Sequence, residues 1–569
     1  MNLFEIFFKF LILFLKYSSL YCFFYFSGKS FDKLLDKLFF KNLNTRDTLL
    51  NINKFYLFPI IGLIFIGNIL IILNFFVPLN SLIVYFFILL IPVASINKIK
   101  FSLDKVNIHK FIYFVFIPSV LLISSSDINF HYDSAYYHLN HQNWLRESNL
   151  IIGMVNIFWP FGMSSIYEYL SSILWFDGSY ILIHFLSLLF IHFLFICLYY
   201  FIFESKNKFL TNSALLIIIF GLLDNFGFGG GRNGFLYIQE AGKQDTAVAS
   251  LTIFITITLF NLIKREIYDS KELTYILLIS FFIFQIKVSS VYVFIPILIY
   301  IFQILYIKKV KLKTVIFNTI PVLFFGILWF TKSFLTTGCL VFPVSLTCIE
   351  TLSWYRVGST KFIEEYTTQT SFAFMEYFQN NDLGFSDWFN DFFFNNGGFS
   401  EYYRNVYSNF LISLSILVVF CLIYFKRQKN GHFFNISMFV FIVFGFLYLI
   451  FYGPIPRYSA GLLSSIIGLL GFYFSEPRLK ESKTLYLIIF IFVIGLIPRL
   501  NSYKKFLNEN DIAITVEYLN QNQSIKQNME WTTPKNGDKC WIDLNCRVDE
   551  YPVGFKKGSL FKTATTKVD

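Results

Sequence analysis

Residues 163–176, MSSIYEYLSSILWF, set the topology of everything that follows them. If this segment crossed a membrane, every later loop would change side. The cluster Lys308, Lys309, Lys311 and Lys313 would then lie outside, against the rule that basic loops stay in the cytoplasm. Its pattern argues that it does not cross. Ile166, Tyr169, Leu170, Ile173 and Leu174 fall on one helical face, and Ser164, Ser165, Glu168, Ser171 and Ser172 on the other. A charge at the bilayer centre costs roughly 2.5–3.5 kcal/mol, which opposes burying Glu168 in lipid. The expectation is an amphipathic helix lying along the outer membrane surface. The alternative is a true span with Glu168 turned into a bundle interior.

On both sides of this segment the chain is apolar. Over 569 residues it is 56% hydrophobic, 21% aromatic and 15% charged. Soluble domains carry about 25% charged residues, and the mean hydropathy of +0.58 points the same way. Runs near 20 residues recur, the length needed to cross a hydrocarbon core of about 30 Å. They lack the two-residue alternation of barrel strands, so helices must satisfy their backbones in lipid. About fourteen spans are predicted, near 3–26, 55–77, 81–96, 111–125, 180–203, 210–223, 246–263, 273–287, 288–306, 314–331, 408–425, 433–452, 458–474 and 484–497. The fold class is therefore an all-α integral membrane bundle. The first run is long and has no small-residue cleavage site, so it reads as a retained helix and not a cleaved leader.

Loop charges orient the spans. Basic loops at 29–46, 98–110, 206–208, 264–265, 308–313, 426–429 and 478–483 are expected in the cytoplasm. This bias accounts for the net charge of +11, and the basic clusters form no stripe suited to nucleic acid. The outer regions are then 126–179, 224–245, 332–407 and a polar tail from 498. Five parts follow: N-terminal helices 1–110, a helical core with outer loops 111–331, an outer loop 332–407, C-terminal helices 408–497 and the tail 498–569. Cys339 and Cys348 share one outer loop and Cys540 and Cys546 share the tail, two even pairs that suggest disulfides in an oxidising compartment. Cys22, Cys197 and Cys421 lie in spans and read as packing residues.

The residues suited to chemistry gather in the outer loops. NFHYDSAYYHLNHQNWLRE, residues 129–147, holds Asp133 and three of the chain's seven histidines, His131, His138 and His141. An aspartate at a membrane edge beside aromatics is a candidate general base, because partial burial weakens the acid. An interfacial aromatic belt with a capping aspartate is the plainer reading of the same residues. The histidine spacing matches no tight metal motif, and a divalent ion stays open beside the acid–base reading. Asp245 closes a second outer loop, 224–245, whose glycines lack the strand–helix setting of a nucleotide loop; there a helix N-cap is the plain alternative. Lys287, Lys332 and Arg457 sit near the outer ends of spans and suit an anionic group such as phosphate. Snorkelling to headgroups is the alternative, most of all for Lys332.

Six stretches together resemble a family of uncharacterised bacterial polytopic membrane proteins related in architecture to the GT-C glycosyltransferases. They are YDSAYYHL at 132–139, KQDTAVA at 243–249, IKVSS at 286–290, TKSFLTTGCLVFP at 331–343, PIPRYSAG at 454–461 and GDKCWIDLNCRVDEYPVGF at 537–555. The chain departs from the family pattern at Ser134-Ala135-Tyr136, at Lys332 where arginine is frequent, and at Asn545-Cys546, which lacks a preceding proline. The resemblance implies a bacterial inner-membrane enzyme that moves a sugar from a polyprenyl-phosphate carrier to a glycan, lipid or protein acceptor on the outer face. Asp133 would take the acceptor's proton, with His138 orienting it or touching phosphate. Lys287, Lys332 and Arg457 would face the carrier phosphate, and Asp245 an acceptor or a divalent ion. A lipid-linked polysaccharide polymerase, or a flippase or transporter of a lipid-linked sugar, are the rival expectations.

Overall fold

The computed structural model describes residues 3–40, 48–96, 108–125, 130, 132–176, 179–223, 243–356, 360–371, 394, 398–452, 455–477 and 500–508, with short stretches between 525 and 565. The helices are α1 Leu3–Phe39, α2 Lys54–Asn74, α3 Leu82–Ile96, α4 Ile108–Ser124, α5 Leu139–Glu147, α6 Ile166–Ser172, α7 Ile181–Phe203, α8 Lys208–Leu223 and α9 Asp245–Arg265. They continue as α10 Ser270–Ile286, α11 Val288–Ile307, α12 Leu312–Thr337, α13 Thr360–Ser371, α14 Gly398–Tyr424, α15 His432–Tyr452, α16 Pro456–Leu470 and α17 Leu500–Asn508. Strands of two to four residues form only two-stranded antiparallel pairs among the described residues.

The protein is a helical membrane protein. Eight described helices are long and apolar enough to cross a bilayer: α1, α2, α7, α9, α11, α12, α14 and α15. Helices α3, α4, α8 and α16 are apolar but shorter, and α10 has 17 residues. The expected span at 484–497 lies outside the described residues, as do the glycine-rich loop 224–242 and His131. One helix outruns its expected end: α1 continues past residue 26 to Phe39. Lys29, Lys33 and Lys37, read as loop charges, therefore stand on a helix. Asp32 and Asp36 on the same helix both meet Lys271, at 2.8 and 2.5 Å, which anchors the extension. Cys22, expected in the packing, lies on the exposed face of α1; Cys197 and Cys421 are buried.

The helices before residue 110 share the core of those after it. α2 packs on α6, α7, α10 and α12. Its contact with α1 is backbone to backbone: a Cβ on Gly28 would stand 1.9 Å from the Phe58 carbonyl oxygen, and one on Gly62 equally close to that of Phe24. Small residues permit this approach, a common way for helices to associate where lipid supplies no hydrophobic drive. Deeper in, Gln285 of α10 donates to Asn68 of α2 at 2.9 Å, so two buried amides satisfy each other.

Regions far apart in the chain meet at one end. Asn156 donates to the Trp354 and Ala564 carbonyls, at 2.8 and 2.9 Å. Ile152 bridges to Thr563 on the hairpin of Gly554–Lys557 with Lys562–Thr565. Three of the four regions read as outer from charge alone thus pack on one another. The fourth reaches the same end through Lys243, whose ammonium contacts Asp133 at 2.8 Å. α9 runs from Asp245 for 21 residues, roughly 30 Å of helix, to Lys264 at the far end. There Lys264 donates to Phe472 at 2.8 Å and lies 3.5 Å from the Phe209 ring centre, among the loops expected to be basic.

The segment 163–176 is corrected in one respect. It forms no span, since α6 has seven residues. Nor does it lie on a surface. The supposed water-facing residues Ser164, Ser165, Glu168, Ser171 and Ser172 are all buried. Protein groups take the place of water along part of this face: Ser165 Oγ donates to the Ile286 carbonyl at 2.7 Å, and Arg146 donates to the Ser172 carbonyl at 2.7 Å.

Candidate functional site

Glu168 organises the site. Ser165 is the N-cap of α6 and Glu168 its third residue, a reciprocal capping box in which the Ser165 N–H donates to Oε2 at 3.2 Å. The same carboxylate takes His138 Nδ1 on Oε1 at 2.5 Å and His141 Nδ1 on Oε2 at 2.6 Å. Burial opposes its ionisation, but the histidines outweigh burial and hold the carboxyl well below the usual carboxylate range. An ionised carboxylate only accepts, so both Nδ1 atoms carry the hydrogens. His141 is 1% exposed and its Nε2 has no protein partner. The His138 side chain is 9% exposed.

Backbone geometry aims these side chains. Ser134–His138 form a π-helical turn that leads into α5, with the Leu139 N–H donating to the Ser134 carbonyl. Such turns are rare and recur at functional sites. The wider turn carries Asp133 at its start and His138 at its end. The tail covers it, since the Trp541 N–H donates to the Ala135 carbonyl at 2.8 Å and Asn143 donates to the Ile542 carbonyl at 2.6 Å. Cys540 and Cys546 are disulfide-bonded on either side of this contact, and Cys339–Cys348 closes the turn after α12.

Two acid–lysine pairs stand beside the Glu168 cluster. Asp133 meets Lys243, and two residues on Asp245 meets Lys287. The Lys287 ammonium also lies 3.9 Å from the Tyr458 ring centre, a cation–π contact. Tyr458 follows Arg457 in the first turns of α16; the Arg457 side chain lies outside the described residues. Ser165 holds the Ile286 carbonyl, next to Lys287, so α6 joins this pair to the Glu168 cluster.

The structure thus brings together Asp133, His138, Asp245 and Lys287. Lys332 is placed differently from the expectation. It is 1% exposed, donates to the Ser164 carbonyl at 3.0 Å and lies 3.8 Å from the Trp329 ring centre. Those contacts make it an internal brace under α6 and not a hand for a carrier phosphate. Glu168 is the residue that sequence reasoning placed wrongly. Its signal was present: an acid three residues after a serine cap, downstream of two histidines that stand three apart on one helical face. No group of three His, Cys, Asp or Glu side chains among the described residues has the geometry to hold a metal ion.

Residues 10–464 match the model of a family described as Domain of unknown function (DUF8201), and the chain belongs to that family. No curated protein and no solved structure matches it. The matched span takes in α1 to α3 together with the site, and stops before the tail that covers the site.

Proposed function

We propose that this DUF8201 protein is a GT-C-like glycosyltransferase of the bacterial inner membrane, acting on its outer face. The carrying observation is the meeting of Asp133, Asp245, Lys287 and His138 at one end of the bundle, from three separate stretches of chain. The charge pattern of the loops supports placing that end outside, with about fourteen crossings in all. The donor is a sugar on a polyprenyl phosphate, and the acceptor a hydroxyl of a glycan, lipid or protein. Asp133, the most open of the site's acids with its side chain 26% exposed, takes the acceptor's proton. Lys287 and Arg457 compensate the phosphate charge that develops as the carrier leaves, and Asp245 holds Lys287 in place until it does.

The test is Asp133→Asn in liposomes supplied with a polyprenyl-phosphate sugar and an acceptor. Release of free polyprenyl phosphate should fall by about 10²–10⁴-fold, the range for loss of a general base. Unchanged release from a variant that is made and inserted overturns the assignment.

A further inference from the structure

A proton taken by Asp133 has to leave again, and its surroundings press it to. Lys243 at 2.8 Å favours the ionised aspartate, so the carboxyl is a poor resting place for a proton. Imidazole is the better acceptor by roughly two to three pH units in water. One imidazole is set up for the task. His138 ends the π turn that Asp133 begins, and in a turn closed by i to i+5 hydrogen bonds these two positions lie one turn apart. In the neutral ring, an Nδ1–H committed to Glu168 at 2.5 Å leaves Nε2 as the atom that carries the lone pair.

We propose that Glu168 is a positioning residue that fixes His138 in the Nδ1–H form and so makes His138 Nε2 the proton acceptor that relieves Asp133. The part that names Asp133 rests on the transferase reading above; the part that names the tautomer does not. In the step itself the O–H bond of the protonated Asp133 breaks and an N–H bond forms at His138 Nε2. Asp133 returns to its pair with Lys243, and the imidazolium sits against the Glu168 anion. The described charged and titratable groups packed against the cluster are these. Lys332, from α12 beneath, reaches the Ser164 carbonyl. Tyr167 and Tyr169, on α6 itself, are buried phenols held in the neutral form, first of all by burial. The Tyr137 ring lies tilted against that of His138, with centres 4.1 Å apart. His141 takes the second carboxylate oxygen and, with Nε2 buried, braces the carboxylate without reaching substrate.

The experiment has two arms. Nitrogen-15 NMR of histidine-labelled protein in liposomes reads the tautomers without any substrate. Two imidazoles, assigned by their loss in His138→Asn and His141→Asn, should carry hydrogen on Nδ1. In Glu168→Gln at least one should move it to Nε2, and Glu168→Asp should restore the wild-type pattern in part. An Nε2–H form at His138 in the wild type overturns the proposal. In the second arm, His138→Asn keeps a donor where Nδ1–H was but removes Nε2. It should cut kcat for polyprenyl-phosphate release at least tenfold with KM changed by no more than about threefold. Wild-type kcat in that variant also overturns it. A wild-type protein that releases no polyprenyl phosphate, yet shows the expected tautomers, defeats the transferase reading and leaves the Glu168–His138 assignment standing.

Discussion

Replacing Glu168 with glutamine isolates what the buried carboxylate contributes to stability. The amide keeps the shape and one acceptor oxygen, so one of the two Nδ1–H groups, now 2.5 and 2.6 Å away, keeps its partner. The other meets an NH₂, donor against donor. If that ring is His141, moving its hydrogen to Nε2 only buries an N–H where no protein acceptor stands. Either outcome leaves one buried donor unmet, at about 1–3 kcal/mol. The surviving hydrogen bond changes from charged to neutral, about 1 kcal/mol more. Lys332, 1% exposed, also loses its nearest counter-charge, although relief from burying the anion offsets part of this. The net expectation is a loss of about 2–4 kcal/mol at neutral pH, read as unfolding free energy in bicelles. The sign with pH follows from the Glu168 carboxyl being held below the usual carboxylate range, where the histidines outweigh burial. A depressed folded value contributes stability above the unfolded carboxylate value of about 4.3, and loses it as pH falls through the folded value. The gap between wild type and Glu168→Gln should therefore narrow below about pH 4. A variant within about 0.5 kcal/mol of wild type at neutral pH, or a gap that widens in acid, refutes the reasoning.

Three further outcomes follow from the packing. Lys287→Met should destabilise by about 3–5 kcal/mol by taking the Lys287 ammonium away from Asp245, whose side chain is 5% exposed. Adding Asp245→Asn should recover part of that, and a double-mutant cycle in bicelles measures the recovery. Gly28→Ala should separate α1 from α2 and lower the melting temperature, because the new Cβ would meet backbone atoms at 1.9 and 2.8 Å; Gly431→Ala, with nothing within 4 Å, should leave it unchanged. Replacing Cys540 and Cys546 together by serine should speed hydrogen exchange at Ala135 and its neighbours, since Trp541 is held against that turn between the two sulfurs.

Much of this protein was legible in its residues. Apolar runs of membrane length and the alternation of basic and neutral loops need no tertiary information, because lipid and the loop-charge bias act on each segment separately. The grouping of Asp133, His138, Asp245 and Lys287 followed from placing their loops on one side. Three features were decided by the tertiary structure alone. α1 runs past residue 26 because Lys271, more than two hundred residues on, binds Asp32 and Asp36. Lys332 became internal because α12 lies under α6. Glu168 became the centre of the site and not a surface charge because the π turn brought two histidines to it. Local pattern tells which residues avoid lipid. Whether a polar face meets water or a partner from elsewhere in the chain is a property of the packed bundle, and here the partner was two imidazoles.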